Sequence, residues 1–323
     1  MNSFKQKWAG YSEKKKRILT ALACILCFIL LLSLFIALKL ARIQYDPAPE
    51  TENANPASAP EEADQQFAAK GRSTVNILVL GTDLPLPGTG DLGRCDSTTL
   101  LSLNLLTGQI KAISFERGIS IYIPSIWSYD LLTHVYSHEG ATGMVNAIES
   151  NFGVDIDGYV QINFDTFPQV VDAIGGVDID LTEEEVTALN NEGYIYAGVW
   201  TQAYVTPGRN HLNGHDTLEY ARLRAVDDNF GRQQRQRTVM QAMLKQVRKL
   251  TLFQMNQAAN KILSLIHTNL PKTTLVRLML NSVKFVGADL QQLQVPEKNG
   301  STEYTMSTFS YQEQRQRIAE FLA

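Results

Sequence analysis

The amino-acid sequence predicts an α/β domain, in which a central mixed β-sheet is covered by helices on both faces and is preceded by one transmembrane helix. The first observation is that short apolar runs typical of buried strands alternate with helical stretches from Thr74 onward. The second is an apolar segment at residues 18–38 that carries no charged side chain. The chain has 323 residues, of which 44% are hydrophobic, and this is enough for one large domain or two small ones.

The apolar segment at residues 18–38 is long enough to cross the hydrocarbon core of a bilayer. Six Lys and Arg side chains precede it within residues 1–17, whereas only Lys39 and Arg42 follow closely. The positive-inside rule therefore predicts a single-pass protein of the cell membrane, with a short cytoplasmic tail and an extracytoplasmic main domain. A cleaved signal peptide is the alternative, but the run is longer than a typical one and residues 37–39 form a poor cleavage site.

Residues 39–73 have the composition of a disordered linker outside the membrane. From Gln44 to Ser73 the chain carries four prolines, many alanines and six acidic residues, with almost no large apolar side chains. Such a segment cannot bury enough surface to fold, so we expect an extended spacer. The composition changes at Thr74, where we expect the main domain, residues 74–323, to begin.

The main domain begins with strands and ends with helices. Residues 75–80 form a continuous apolar run that ends in Gly-Thr-Asp, which is typical of a buried strand. Further strands are predicted at residues 98–105, 109–115, 119–123, 158–163 and 177–180. Helices are predicted at residues 141–152, 164–174, 214–221, 232–250, 255–267 and 273–285.

Charged side chains cluster where the predicted strands begin or end. Asp83 directly follows the first strand, Arg94 and Asp96 precede the second, and Arg117 lies just past the third. Ligands of open α/β sheets bind at such edges. Carboxylates hold Mg²⁺ and guanidinium groups hold phosphate oxygens, so this set favours phosphoryl-transfer chemistry. The sequence has no glycine-rich nucleotide motif, so a nucleotide is not indicated.

A second cluster of arginines lies at residues 222–237, which read RLRAVDDNFGRQQRQR. The helical apolar stripe that follows, extended backwards by threes and fours, reaches Arg232 and Arg235 but not Arg237. We therefore expect the first two to face inward and Arg237 to be solvated. An inward arginine needs a partner, and a phosphorylated ligand at a helix N-terminus is favoured over a structural ion-pair network.

Composition excludes two classes of site. The formal net charge is −4, so bulk electrostatics give no reason to expect nucleic-acid binding. Of the three cysteines, Cys24 and Cys27 lie in the apolar segment and Cys95 is alone in the rest of the chain. The main domain therefore has no intrachain disulfide, and no Cys/His cluster has metal-site spacing.

The motifs of the main domain, taken in order, resemble the LytR-CpsA-Psr family of cell-envelope proteins. The matching stretches are NILVLGTD (76–83), RCDSTTLLSLN (94–104), SFERGISIYIP (114–124), LTHVYSHEG (132–140), GYVQINFDTFPQVVDAIGGVDIDLT (158–182), GRNHLNGHDTLEYARLRAVDDNFGRQQRQRTVMQAML (208–244) and HTNLPKTTLVRL (267–278). No single motif is decisive, but the ordered set is specific and covers most of the domain.

The resemblance implies a membrane-anchored domain outside a Gram-positive cell. Such proteins move a glycopolymer, for example teichoic acid or capsular polysaccharide, from a polyprenyl-pyrophosphate carrier to peptidoglycan, forming a phosphodiester. It implies Mg²⁺ or Mn²⁺ held by Asp83 and Asp96, and catalytic roles for Arg117 and Asp96. The pyrophosphate-binding side chains that it implies are Arg94, Arg117, Arg222, Arg224, Arg232, Arg235 and Gln236. It also implies an apolar tunnel for the polyprenyl tail, lined in part by the segment around Val170, Val171 and Ile174.

The sequence departs from the family pattern at Gly118. The usual Pro-Arg-Asp is Glu116-Arg117-Gly118 here, so a carboxylate commonly found beside the phosphates is missing. Adjacent strand residues point to opposite faces, which argues against direct replacement by Glu116. Two other hypotheses therefore stay open: a non-catalytic or weakly active binder of the lipid-linked polymer, and a lipid pyrophosphatase that uses water as acceptor.

Histidines offer further candidates. His134 and His138 could serve as a general base or as a metal pair, which is one hypothesis. A polar structural role is the favoured interpretation for both. His211 and His215 lie near a predicted helix start, where capping and surface roles are commoner than catalysis.

Overall fold

The computed structural model describes residues 30, 33–46, 73–83, 92–191, 194–196, 199–201, 204–223, 226, 229–297 and 310–323. The chain divides into two compact units, Met1–Arg42 and Ile43–Ala323. In the first unit, residues 33–40 form a helix. Within the described ranges, no helix is long and apolar enough to span a bilayer. Most of the predicted span at residues 18–38 lies outside those ranges, so the transmembrane helix stays a prediction.

The second unit contains the strands and the remaining helices. Its strands are β1 (Gln44–Tyr45), β2 (Thr74–Thr82), β3 (Cys95–Asn104), β4 (Ile110–Phe115), β5 (Ser120–Ile123), β6 (Ser128–Leu131), β7 (Gly158–Asn163), β8 (Val177–Leu181), β9 (Tyr194–Tyr196), β10 (Val199–Thr201), β11 (Gly208–Leu212), β12 (His267–Thr268) and β13 (Leu290–Val295). Its helices are α1 (Leu132–Phe152), α2 (Thr166–Ala173), α3 (Glu183–Asn191), α4 (Gly214–Arg222), α5 (Asn229–Val247), α6 (Leu252–Ile262), α7 (Lys272–Phe285) and α8 (Tyr311–Leu322), with a 3₁₀ turn at Pro124–Ile126.

The main sheet is mixed, as the sequence predicts. In the described part of the chain it has seven strands in the order β1-β12-β7-β2-β3-β4-β13. The pairs β1/β12, β7/β2 and β4/β13 are parallel, and the other neighbours are antiparallel. Small two-stranded ladders join β5 to β6, β8 to β11 and β9 to β10. Strand β2 is mostly apolar and the second half of β3 carries Leu100, Leu101 and Leu103, as expected for central strands that helices cover on both sides.

One face of the sheet packs against α1 and α8. Alternate residues of β2, β3 and β4 point to this face, where they form a cluster with the inward side of α1. Its fully buried members include Leu78, Leu80, Leu100, Ile113, Met144, Ile148, Phe152 and Ile318. The rings of Phe115 and Phe152 lie 4.8 Å apart in a tilted arrangement. This cluster anchors α1 to the strands whose ends carry the predicted charged site.

The opposite face is covered by α2, α4 and α5. The residues of β2 and β3 that alternate with the first set, such as Val79, Thr99 and Leu101, point towards these helices and line a cavity between sheet and helices. A second apolar cluster, which includes Val171, Ile174, Tyr220 and Val239, holds the three helices together. Helices therefore lie on both faces of the sheet, which confirms the predicted layers.

The structure differs from the sequence prediction at several element ends. Helix α1 begins at Leu132, nine residues before the predicted start, with a break at Gly140 (φ 64°, ψ −158°). The predicted helix at residues 255–267 is wrong at its end, because α6 stops at Ile262 and β12 follows. Strand β13 escapes prediction because three glutamines interrupt its apolar pattern. Strand β1 also lies in the segment assigned to the linker, while residues 47–72 lie outside the described ranges.

Replacement of Phe152 by alanine tests the packing of α1 on the sheet. The side chain is completely buried, so we expect Phe152→Ala to lower the free energy of unfolding by about 3–5 kcal/mol in urea titrations. Phe253→Ala is the matched control, because Phe253 is 69% exposed and its loss should change stability by about 0.5 kcal/mol or less. Equal effects of the two substitutions would contradict this packing.

Candidate active site

The ends of β2 and β3 bring the first predicted charged residues together. The two strands are antiparallel and pair as far as Thr82 with Cys95. Beyond this pair the Asp83 N–H donates to the Arg94 carbonyl oxygen at 2.9 Å. A Cβ at Gly81 would lie 3.0 Å from the Ser97 Cβ, so the close approach of the strands favours glycine there. Asp83, Arg94 and Asp96 thus share one edge of the sheet.

Asp96 links this edge to two other elements. One carboxylate oxygen, Oδ1, accepts a hydrogen bond from Arg117 Nη1 at 2.7 Å, just past the end of β4. The other, Oδ2, lies 3.9 Å from Arg232 Nη1 in the first turns of α5. Arg232 is 2% exposed, as expected for an inward residue of α5. Three segments far apart in sequence therefore meet at one carboxylate.

The pKa of Asp83 indicates which other charged residues lie near it. Burial raises the pKa of Asp83, and the nearby Asp96 carboxylate raises it further, while Arg222, Arg94 and Arg117 act in the opposite direction. Arg222 lies at the end of α4 with its guanidinium carbon 4.3 Å from the centre of the Phe164 ring. Six of the predicted side chains are thus gathered at one edge of the sheet: Asp83, Arg94, Asp96, Arg117, Arg222 and Arg232.

An apolar cavity adjoins this charged cluster. Its volume is about 250 Å³, and it lies between the sheet and helices α2, α4 and α5. The apolar side chains in its wall include Val79, Leu101, Ile162, Phe164, Phe167, Val170, Leu218, Val239, Met240 and Met243. Gly81, Ser97 and Arg222 also line it, and these residues adjoin or belong to the charged cluster. Of the segment predicted to form a tunnel, Val170 lines the cavity, whereas Val171 and Ile174 are buried in the core behind it.

The other arginines of residues 222–237 have different surroundings. Arg235 is 3% exposed, where its Nη2 donates to the Leu223 carbonyl at 2.6 Å and its Nη1 lies 3.8 Å from Glu185 Oε1. These contacts fasten α5 to the end of α4 and to α3. Gln236 lines the cavity. Arg224 lies outside the described ranges.

Arg237 lies where the helical pattern did not place it. It lines the cavity with Gln236 and Met240, and burial lowers its pKa, so the expectation of a solvated side chain is wrong. The reason is that α5 is packed between the sheet and neighbouring helices and buries more than one face. A single apolar stripe describes a helix with one covered side, and so it underestimates the buried surface of α5.

Glu116 takes part in a buried network beside Arg117. It is 3% exposed, its Oε1 accepts from the Gly118 N–H at 3.2 Å, and its Oε2 accepts from the side-chain amide of Gln233. Gln233 in turn accepts from Gln294 Nε2 at 2.8 Å. The carboxylate of Glu116 therefore lies next to the backbone of Gly118. Gln233 and Gln294 were not identified in the sequence analysis. The one available signal was the position of Gln233 within the arginine-rich motif.

The four histidines named in the sequence analysis have other surroundings. His134 and His138 contact one carboxylate, Asp130, at 2.9 and 3.4 Å. His211 contacts Asp178 at 2.8 Å in a surface ion-pair group on the β8–β11 ladder, and His215 lies in the first turn of α4. Among the described residues, no group of three or more His, Cys, Asp or Glu side chains is arranged to hold a metal ion. A histidine metal pair is therefore not supported.

Comparison with known proteins identifies the family to which this chain belongs. The model of the LytR_cpsA_psr family matches residues 42–322. The chain belongs to the LytR-CpsA-Psr family. One relative, a polyisoprenyl-teichoic acid–peptidoglycan teichoic acid transferase TagU of Bacillus mycoides, is 35% identical over 173 residues, which is 53% of this chain and 52% of that protein. The chain thus matches about half the length of that relative.

Solved structures of the LytR-CpsA-Psr family share the fold. The crystal structure of B. subtilis TagT superposes with a TM-score of 0.59 at 20% identity, covering 81% of this chain and 96% of TagT. The family protein YwtF (TagT) with bound octaprenyl pyrophosphate lipid superposes with a TM-score of 0.56 at 20% identity, covering 78% and 91%. At such identities the likeness establishes the fold alone.

The two carboxylates of this LytR-CpsA-Psr chain suit a hard cation. Asp83 and Asp96 offer the oxygen ligands that Mg²⁺ and Mn²⁺ prefer, and burial together with the neighbouring Asp96 carboxylate raises the pKa of Asp83. Two carboxylates alone are few ligands for such an ion. Magnesium sites of this kind are completed by phosphate oxygens of the substrate and by water. The donor set therefore fits a metal that binds together with a phosphorylated ligand.

The Glu116 network predicts a penalty for restoring the family's aspartate at Gly118. A Cβ there would lie 3.4 Å from Glu116 Oε1, which is ordinary contact, so the space is available. A second carboxylate would repel the first, so we expect Gly118→Asp to lower the free energy of unfolding at pH 7 by about 1–3 kcal/mol relative to Gly118→Asn. Equal stabilities of the two variants at pH 7 would contradict the proximity of the two carboxyl groups.

Proposed function

We propose that this protein transfers a glycopolymer, such as teichoic acid or capsular polysaccharide, from a polyprenyl-pyrophosphate carrier to peptidoglycan. The observation that carries the proposal is the contact between an arginine-rich cluster and an apolar cavity. A polyprenyl pyrophosphate needs both surfaces side by side, because its pyrophosphate is anionic and its tail is a hydrocarbon. Family membership and the printed activity of the TagU relative support the same substrate class.

The arginines would bind and orient the pyrophosphate. Four arginines, Arg94, Arg117, Arg222 and Arg232, surround Asp83 and Asp96, so four positive charges face three negative ones when the buried Glu116 is included. The Asp96 carboxylate fixes the direction of Arg117 before the ligand binds, which reduces the entropy lost on binding. These side chains would stabilise the charge that develops on the leaving lipid phosphate.

The reaction breaks a phosphoanhydride bond of the pyrophosphate and forms a phosphate ester bond to the acceptor. A sugar hydroxyl of the acceptor forms a bond to the phosphorus that carries the glycopolymer, and the bond from that phosphorus to the lipid phosphate breaks. The electron pair stays on the lipid monophosphate, and the hydroxyl loses its proton to a base. A divalent cation held by Asp83 and Asp96 would neutralise phosphate charge during this exchange.

The location of the protein is also part of the proposal. The apolar segment at residues 18–38 would anchor it in the cell membrane, where its lipid-linked substrate resides. The positive-inside rule would place the domain outside, next to peptidoglycan. Nucleic acid is not proposed as a partner, since the net charge is negative.

A direct assay tests the proposal. The full-length protein in detergent is incubated with a polyprenyl-pyrophosphate glycan, peptidoglycan oligomers and Mg²⁺, and products are separated by mass. We expect a phosphodiester-linked adduct together with lipid monophosphate. Binding of the lipid without turnover would replace the transferase proposal with the binding-protein hypothesis, which the absent carboxylate at Gly118 favours. Lipid monophosphate without adduct would instead indicate hydrolysis.

Arg117 provides a residue-level test of pyrophosphate binding. We expect Arg117→Ala to weaken the affinity for polyprenyl pyrophosphate by about 1–3 kcal/mol, because a charged hydrogen bond is lost. This corresponds to about a 5- to 150-fold rise in Kd, measured by titration calorimetry in detergent. Arg209→Ala is the control, since Arg209 is an exposed arginine that pairs with Asp178 on the β8–β11 ladder. An unchanged Kd for Arg117→Ala would remove Arg117 from the site.

Met240 provides a test of the cavity. It lines the cavity from α5 without being fully buried, so Met240→Trp should fold while filling part of the space. We expect at least a tenfold loss of affinity for a long polyprenyl pyrophosphate and little change for a short-chain isoprenyl pyrophosphate. An equal loss of affinity for both ligands would indicate a damaged fold. Unchanged affinity for both would show that the polyprenyl tail binds outside this cavity.

A further inference from the structure

The β5–β6 hairpin exposes an unusual concentration of apolar side chains. Between residues 126 and 131 the chain carries Ile126, Trp127, Tyr129 and Leu131, and Trp127 is 72% exposed at the tip. The Tyr129 ring meets Tyr122 of β5 edge to face, with 5.3 Å between centroids. Trp127 also adopts a φ of 51°, a left-handed conformation that bulky residues rarely occupy and that clusters at functional sites. The fold therefore holds an aromatic surface towards solvent.

Both ends of this hairpin are fixed to the charged cluster. The Thr133 N–H, just after β6, donates to the Arg117 carbonyl oxygen at 3.0 Å. The Ser137 hydroxyl donates to the Gly93 carbonyl oxygen at 2.5 Å, one residue before Arg94. The first turns of α1 therefore rest on the two loops that carry Arg117 and Arg94. Strand β6 spans roughly 13 Å from this junction to the tip, the length of a short oligosaccharide.

An Asp–His pair lies at the junction. His134 Nδ1 contacts Asp130 Oδ1 at 2.9 Å, and the Leu131 N–H donates to the same oxygen at 2.7 Å. His134 is adjacent to Thr133 and one helical turn from Ser137, the two residues that contact the loops of the cluster. With Nδ1 held by the carboxylate, Nε2 is the nitrogen left to exchange a proton with a ligand. A carboxylate that orients an imidazole in this way is the arrangement of a general base and its partner.

Charge decides which ligand suits the hairpin. Residues 118–139 contain Asp130 and Glu139 but neither Lys nor Arg, so an anionic membrane surface would not be attracted. Exposed Trp and Tyr rings flanked by a carboxylate and imidazoles suit sugar rings, whose C–H faces pack on aromatics and whose hydroxyls hydrogen-bond at the edges. A neutral glycan strand is therefore the ligand class that this surface fits.

We propose that the β5–β6 hairpin and the start of α1 form the acceptor subsite, in which Trp127 and Tyr129 hold a sugar of the glycan strand and His134 is the base. The inference rests on the proposed transferase function. The acceptor hydroxyl oxygen bonds to phosphorus, its proton passes to His134 Nε2, and the lipid phosphate departs with the electron pair of the broken bond. Because residue 118 carries no carboxylate, the role of base then falls to the imidazole that Asp130 orients.

The charged groups around His134 are few. Asp130 approaches from β6, His138 from the next turn of α1, and Arg94 and Arg117 belong to the two loops beneath. Burial acts to raise the pKa of Asp130, but hydrogen bonds from His134, the Leu131 N–H and His138 lower it overall. Asp130 therefore stays ionised at neutral pH, where it can hold the imidazole of His134 through Nδ1.

Two variants of the full-length protein test the subsite with separate readouts. For docking, Trp127→Ala should weaken the binding of purified uncrosslinked glycan oligomers at least tenfold and leave the affinity for polyprenyl pyrophosphate unchanged. Phe253→Ala is the matched control, because Phe253 is a similarly exposed aromatic residue on α6, away from the hairpin. Unchanged glycan affinity in Trp127→Ala overturns the proposal, and so does a loss of binding to anionic phospholipid vesicles in place of glycan.

For the base, His134→Gln should lower the single-turnover rate about 10²- to 10⁴-fold with lipid affinity intact. His211→Gln is the control, since His211 forms a similar contact with Asp178. A wild-type rate in His134→Gln overturns the proposal. Absence of adduct even with the wild-type protein would instead reject the transferase function itself.

Discussion

The candidate site depends on the position of the Asp96 carboxylate between two arginines. Arg117 follows the end of β4 and Arg232 lies in the first turns of α5, so the carboxylate at the start of β3 links two other elements. A buried or half-buried guanidinium is costly without a partner, so the shared carboxylate stabilises all three groups in one place. Removal of Asp96 would take away a negative charge that both arginines share at the junction of sheet and helix. With Asp96 present, the arginines of the cluster still outnumber its carboxylates, which suits an anionic ligand.

The apolar cavity beside the charged junction indicates which class of ligand the site suits. Arginines that meet carboxylates at a sheet edge are common as structural ion pairs, and they do not by themselves indicate a substrate. Here Arg222 belongs to both the cluster and the cavity wall, where it lies over Phe164. A ligand with an anionic head and a hydrocarbon tail contacts both surfaces at once. The fold thereby favours an amphiphile over a soluble phosphate ester.

The sequence predicted the layers and the charged cluster because both follow short-range rules. Apolar runs identify the central strands, and charges at their ends fall on one edge once the strands pair. It failed where tertiary packing decides, as at Arg237, which α5 buries against a second face, and at the glutamine-rich β13, which pairs with β4. Arg235 is inward as predicted, but its contacts with Leu223 and Glu185 depend on the path of α3 and α4. No local pattern encodes that path.

The sequence departs from the family pattern at Gly118, and the structure shows a carboxylate nearby: Glu116 is buried and accepts a hydrogen bond from the Gly118 N–H.

The proposed reaction moves the phosphorus that bears the glycopolymer to the acceptor. The most direct measurement uses a lipid-linked glycan with ³²P in that phosphate only, incubated with the protein and peptidoglycan oligomers. The account predicts that the label appears in the peptidoglycan adduct while the lipid monophosphate is unlabelled. Label that remains on the lipid, or that is released with free glycan, would contradict it.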